Sequence, residues 1–114
     1  MGSVLVVDDD AAFREQLVAL LGELRPDAQV EAVADGHAAV ARALDLRPDH
    51  VLVDYAMPGP SGLNVATALA QALPATHVVV VSGVDALEPG SLPADVVLVR
   101  KDAGLRDALD RALT

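Results

Sequence analysis

Asp8, Asp9 and Asp10 follow a short aliphatic run, and Asp54 follows another. Ser82 ends a third such run, and Lys101 stands just beyond a fourth. Carboxylates gathered in one cleft repel each other and raise their own pKa values. A hard divalent cation relieves the repulsion, and carboxylates are the ligands Mg2+ prefers. The same ion neutralises charge on a phosphoryl group in transfer. A carboxylate can also be the nucleophile, which gives an aspartyl phosphate. That product needs donors on its oxygens; Lys101 supplies charge and Ser82 a hydroxyl. No catalytic triad and no Gly-rich phosphate loop accompanies these residues.

Positioning them requires several elements. Residues 3–7 (SVLVV) read as a strand buried on both faces. Phe13, Leu17, Leu20, Leu21 and Leu24 recur at helical spacing, with Asp10 as N-cap and Pro26 as stop. Residues 29–33 form a second strand, 37–46 an Ala-rich helix after Gly36, and 50–53 a third strand. Residues 63–73 follow as a helix starting near Ser61 or Gly62. Residues 76–81 (THVVVV) are the most hydrophobic strand and are expected at the centre of the sheet. Residues 95–99 make a fifth strand and 105–113 a last helix, with leucines at 105, 109 and 113. Between them, Pro89, Gly90 and Pro93 forbid a long fourth helix, which should be stunted or replaced by a loop. Alternating strands and helices imply right-handed βαβ units. The expectation is an α/β, flavodoxin-like doubly wound sheet of five parallel strands, order 2-1-3-4-5, in one domain over residues 1–114. Ligands bind such sheets beyond the carboxyl ends of the strands, where the acids, the hydroxyl and the ammonium all fall.

Composition narrows the function. The chain has 114 residues, 53% of them hydrophobic, so it is no disordered acidic tail. Aromatics are 2%, Phe13 and Tyr55 alone, so the core is aliphatic. A net charge of -9 with scattered arginines leaves no electrostatic footprint for nucleic acid. Lys101 is the only lysine among eight basic residues. There is no cysteine, no membrane-length apolar run, no basic signal-peptide start and no myristoylation signal, which together imply a cytoplasmic protein. His37, His50 and His77 lack metal-ligand spacing and read as structural or exposed, and Tyr55 as a surface residue beside the acids.

With its motifs in this order, the chain resembles the receiver domains of two-component response regulators. The resemblance covers essentially the whole sequence. It rests on VLVVDDD, on V-L-V-D-Y-A-M-P-G-P-S-G with Asp54, Met57, Pro58 and Gly62, on V-V-V-V-S-G, and on Lys101; Ala34-Asp35-Gly36 and Ala39 add to it. It implies that Asp54 accepts a phosphoryl group from a sensor histidine kinase or phosphotransfer protein. Asp9 would bind Mg2+ directly, Asp8 through water, and the backbone carbonyl of Ala56 would complete the protein ligands with Asp54. Ser82 and Lys101 would each bond a phosphoryl oxygen. Such a domain catalyses only its own phosphorylation and dephosphorylation, and switches contacts with a downstream protein or a second copy of itself. Arg100-Lys101-Asp102-Ala103 is nearest the subfamily with LuxR-type output domains, although these 114 residues include no output domain.

Three departures bear on output. Asp102 stands where most members have proline, Leu98 where they have an aromatic switch residue, and the Ser82-to-Lys101 stretch is short. These favour a second reading, a pseudo-receiver that binds proteins without phosphorylation. A third, a haloacid-dehalogenase-like phosphatase using Asp8 and Asp10, would leave Asp54 unused and lacks a later acidic pair. Two residues after Asp54 stands Ala56, and two after Ser82 stands Val84; neither side chain can orient an attacking water. The aspartyl phosphate should therefore be slow to hydrolyse, and decay within seconds in the presence of Mg2+ would contradict this.

Overall fold

The computed structural model describes residues 2–57, 61–83, 92–93 and 95–113. The elements run β1 (Ser3–Val7), α1 (Ala11–Leu24), β2 (Gln29–Val33), α2 (Gly36–Leu46), β3 (His50–Asp54), α3 (Gly62–Ala72), β4 (His77–Ser82), β5 (Val97–Arg100) and α4 (Leu105–Ala112). The strands make one parallel sheet in the order β2-β1-β3-β4-β5. The reversal of strand order lies between β1 and β3, and their carboxyl ends therefore flank the crevice such sheets offer to ligands.

Strand alternation divides the core in two. Leu5, Val7, Val51, Val53, Val78 and Val80 point to one face and pack with α2 and α3. Val4, Val6, Leu52, Val79, Val81 and Val99 point to the other and pack with α1 and α4. The helix stripes match: Leu17 and Leu21 are buried on α1, Ala39 and Ala43 on α2, Val65, Ala66 and Leu69 on α3, and Leu105 and Leu109 on α4. Each of the first three helices starts at a side-chain cap: Asp10, Asp35 and Ser61 accept from backbone amides of the first turn. Asp10 and Asp35 stand just past the ends of β1 and β2, so α1 and α2 begin at the carboxyl edge at defined places.

Three expectations need correction. β3 is the middle strand; β4 lies between β3 and β5, buried on both faces without being central. β3 and β4 each run one residue further than expected, because Asp54 pairs with Val81 and Ser82 with Arg100. β5 starts at Val97 rather than Asp95, because the Val96 amide is spent on a turn, donating to the Pro93 carbonyl at 3.0 Å. The expected stunted fourth helix would fall within residues 84–91, outside the described residues; the helix labelled α4 follows β5.

At the amino edge of the sheet, His50 and His77 sit opposite each other in register, rings stacked with centroids 5.3 Å apart. Burial above all, then the neighbouring His77, pushes the His50 pKa below its ordinary 6.5. As pH falls, the unfolded chain therefore takes up this proton first, and stability present above that value is lost as pH falls through it. Thermal unfolding should show a larger drop in Tm between about pH 7.5 and about pH 5.5 for the wild type than for His50→Gln.

Candidate functional site

β1, β3, β4 and β5 end at the same edge, and each delivers one polar group there. Asp8 leaves β1 fully buried, Asp54 closes β3 at 5% exposure, and Ser82 closes β4 at 1%. Lys101 follows β5, where its amide donates to the Ser82 carbonyl at 2.9 Å and extends the ladder by one rung. One carboxylate oxygen from each of Asp8, Asp9 and Asp54 lies within 4.8 Å of the others. The Lys101 ammonium is 2.9 Å from Asp54 Oδ1 and 3.6 Å from Asp8 Oδ2.

The Asp8 carboxylate is held at one oxygen only. Its Oδ1 accepts the Asp10 amide at 2.9 Å. Its Oδ2 is buried without a hydrogen bond among the described residues, since 3.6 Å to Lys101 is a charge contact and too long for a bond. Burial, first of all, raises the Asp8 pKa, and the charges of Asp54 and Asp9 push the same way; the Asp10 amide and Lys101 oppose them. Three carboxylates against one ammonium leave a local deficit of positive charge. The donor set is all oxygen, crowded and partly unsatisfied, which fits a hard divalent cation. Asp8, Asp9 and Asp54 can hold it with side-chain oxygens.

Local sequence explains the placement. The Asp10 carboxylate accepts the Ala12 and Phe13 amides at 3.0 and 3.3 Å, so Asp10 is the helix cap and its carboxylate is spent on α1. Arg14 Nη1 donates to the Asp8 carbonyl at 2.8 Å and pins the β1–α1 turn. Past Asp54, the Tyr55 amide donates to Val81 and the Tyr55 carbonyl accepts the Gly62 amide at 2.9 Å. This brings α3 against the end of β3 so closely that a Cβ on Gly62 would overlap the Asp54 carbonyl oxygen and stand 2.6 Å from the Tyr55 Cα. Met57 is buried in the core on that side. Pro58 and Val84 lie outside the described residues. Ala56 is exposed beside Asp54, and Tyr55 is half-buried against the core rather than a free surface ring. Leu98 is likewise half-buried against that core, and Asp102 Oδ1 accepts the Gly104 amide at 2.8 Å ahead of α4.

Residues 4–91 match the response regulator receiver domain family. The chain belongs to that family. A receiver domain protein from Clostridium thermocellum superposes with a TM-score of 0.87 over 99% of this chain and 91% of that one; at 19% identity the likeness speaks for the fold. The receiver domain of the response regulator NarL from Mycobacterium tuberculosis is 33% identical, with a TM-score of 0.77 over 98% of this chain and 92% of that one. Protein-glutamate methylesterase/protein-glutamine glutaminase 5 of Myxococcus xanthus is 42% identical over 79 residues, 69% of this chain and 23% of that protein. The chain spans 23% to 28% of the length of the first curated relatives it matches.

Sequence reasoning overlooked Phe13 and Arg14. Helical spacing and charge are the only signals these two carry in the sequence, yet the Asp10 cap sets their turn beside the acids. The Phe13 ring lies under the Lys101 ammonium, 4.1 Å from ring centroid to Nζ.

The Gly62 contact has a direct consequence. Gly62→Ala should cost about 1–3 kcal/mol by overpacking, because the neighbour is backbone and cannot yield. Urea unfolding measures the loss, and an unchanged midpoint would contradict the contact.

Proposed function

We propose that this chain is a phosphoacceptor module in which Asp54 takes a phosphoryl group from a sensor histidine kinase or phosphotransfer protein. The observation that carries the reading is the Lys101 ammonium, 2.9 Å from Asp54 Oδ1, beside a buried carboxylate with one oxygen left without a hydrogen bond among the described residues. An Asp54 oxygen attacks phosphorus, and a P–O bond forms as the donor's P–N bond breaks. The imidazole leaves with the electron pair. Asp8, Asp9, Asp54 and the Ala56 carbonyl would hold Mg2+, which when bound offsets charge on the phosphoryl oxygens. Lys101 passes from Asp54 to one of those oxygens and Ser82 bonds another. Catalysis is confined to the chain's own phosphorylation and dephosphorylation.

The output is a change in protein contacts, with a downstream partner or a second copy, since about two added negative charges must be absorbed at the sheet edge. We place the module in the cytoplasm, as one receiver unit over residues 1–114, with no direct contact to nucleic acid; the net charge of -9 supports the last point. Among the described residues, no helix is long and apolar enough to cross a membrane. A phosphorylation-independent binding module is not favoured, because its acids and ammonium would have no reason to stay this close. A phosphatase using Asp8 and Asp10 fares no better, since the Asp10 carboxylate caps α1.

Acetyl phosphate with Mg2+ should add one phosphoryl group by intact mass, and chelation of Mg2+ should prevent it. Asp54→Asn should abolish the adduct. A wild-type protein that takes no phosphoryl group from any donor would overturn the reading.

A further inference from the structure

We propose that Phe13 is a positioning residue for phosphoryl transfer, its ring face holding the Lys101 ammonium over the acidic cluster. The inference rests on reading Asp54 as the phosphoacceptor. The chain contains one phenylalanine and one lysine, and the fold stacks the second on the first. Nζ stands 4.1 Å from the ring centroid, well inside the range of cation–π attraction. The same nitrogen is 2.9 Å from Asp54 and 3.6 Å from Asp8. Three elements thus converge on one ammonium: α1 through the ring, β1 and β3 through carboxylates.

The ring is itself fixed. Its amide donates to Asp10 Oδ1 at 3.3 Å in the first turn of α1, and the side chain packs against the core shared by α1 and α4. A lysine on a flexible four-carbon stem would otherwise sample many positions over an open edge. An aromatic face attracts the cation without accepting its protons in the way an oxygen does. The N–H groups therefore stay available to Asp54 and then to phosphoryl oxygens, and the ammonium need not leave the ring to reach them. The ring also takes the place of water on one side, which lessens screening of the charge the ammonium directs at the transferred group. A carboxylate at position 13 would compete with the phosphoryl group for the same protons. A leucine would pack there but would neither attract nor orient the ammonium.

Protein labelled with 13C-lysine contains a single lysine spin system, so Lys101 can be read without assignment. Its Hε protons should lie upfield in the wild type from the ring current, keep that displacement in Phe13→Tyr, and lose it in Phe13→Leu. At saturating acetyl phosphate with Mg2+, Phe13→Leu should phosphorylate roughly three- to tenfold more slowly. The donor concentration at half-maximal rate should be unchanged, and Phe13→Tyr should stay near the wild-type rate. If leucine impairs folding, Phe13→Met serves as the unattractive side chain. Lysine protons without upfield displacement in the wild type, or wild-type rates in both leucine and methionine variants, would overturn the inference. A merely structural role would lower Tm in the leucine variant and leave its rate alone. A wild type that accepts no phosphoryl group instead removes the reading of Asp54, while the lysine shifts still decide whether the ring holds the ammonium.

Discussion

Like-charge repulsion at the ends of apolar strands is the constraint around which this molecule is organised. Asp8 and Asp54 are carried into the interior by the most aliphatic segments of the chain, where an uncompensated carboxylate is costly. Asp9 adds a third negative charge from the rim. One ammonium stands against the three, and it reaches only two of them. The polypeptide's own groups therefore leave an excess of negative charge at one edge of the sheet. A group that lowers this charge is favoured there.

The rest of the architecture fixes that deficit in place. The β3–β4 ladder runs through Asp54 itself, so its backbone cannot swing away from the neighbouring strand. Arg14 and the Asp10 amide hold Asp8 from its carbonyl and from one carboxylate oxygen. Gly62 lets α3 close directly on the strand end, and the absence of a side chain there keeps the backbone around Asp54 tight. On the far face, α1 and α4 are joined by Arg25 to Asp110 and Arg106 to Glu23. These exposed pairs add little stability individually, but they link the helix that carries Phe13 to the helix that follows Lys101.

Much of this was legible before any coordinates. Strand and helix order, the Asp10 cap, the helix start near Ser61, and the edge at which the acids gather all follow from periodicity, from capping preference and from the rule that ligands bind at strand carboxyl ends, whereas the Asp35 cap shows only in the structure. The strand ends were less legible, because they depend on pairing: nothing local says that Asp54 and Ser82 belong to the ladder, or that the Val96 amide is taken by Pro93. The middle of the sheet was misjudged because hydrophobicity reports burial on both faces, a property β3 and β4 share. Phe13 was the largest omission at the site. Helical spacing assigned it to the buried stripe, which is half the truth: its body packs in the core while its face meets a charge, and only three-dimensional placement separates the two.

The β4–β5 pairing has a consequence for how the molecule comes together. The three carboxylates reside in the first half of the chain, in the turn after β1 and at the end of β3, whereas the ammonium arrives only when β5 docks through the Lys101-to-Ser82 bond. During synthesis from the amino terminus, the repulsive part of the site is made first and its internal counter-charge among the last pieces. A folding intermediate lacking β5 would carry three acids with no ammonium among them. The sheet edge is therefore at its most repulsive before β5 is in place, and the last strand brings the relief with it.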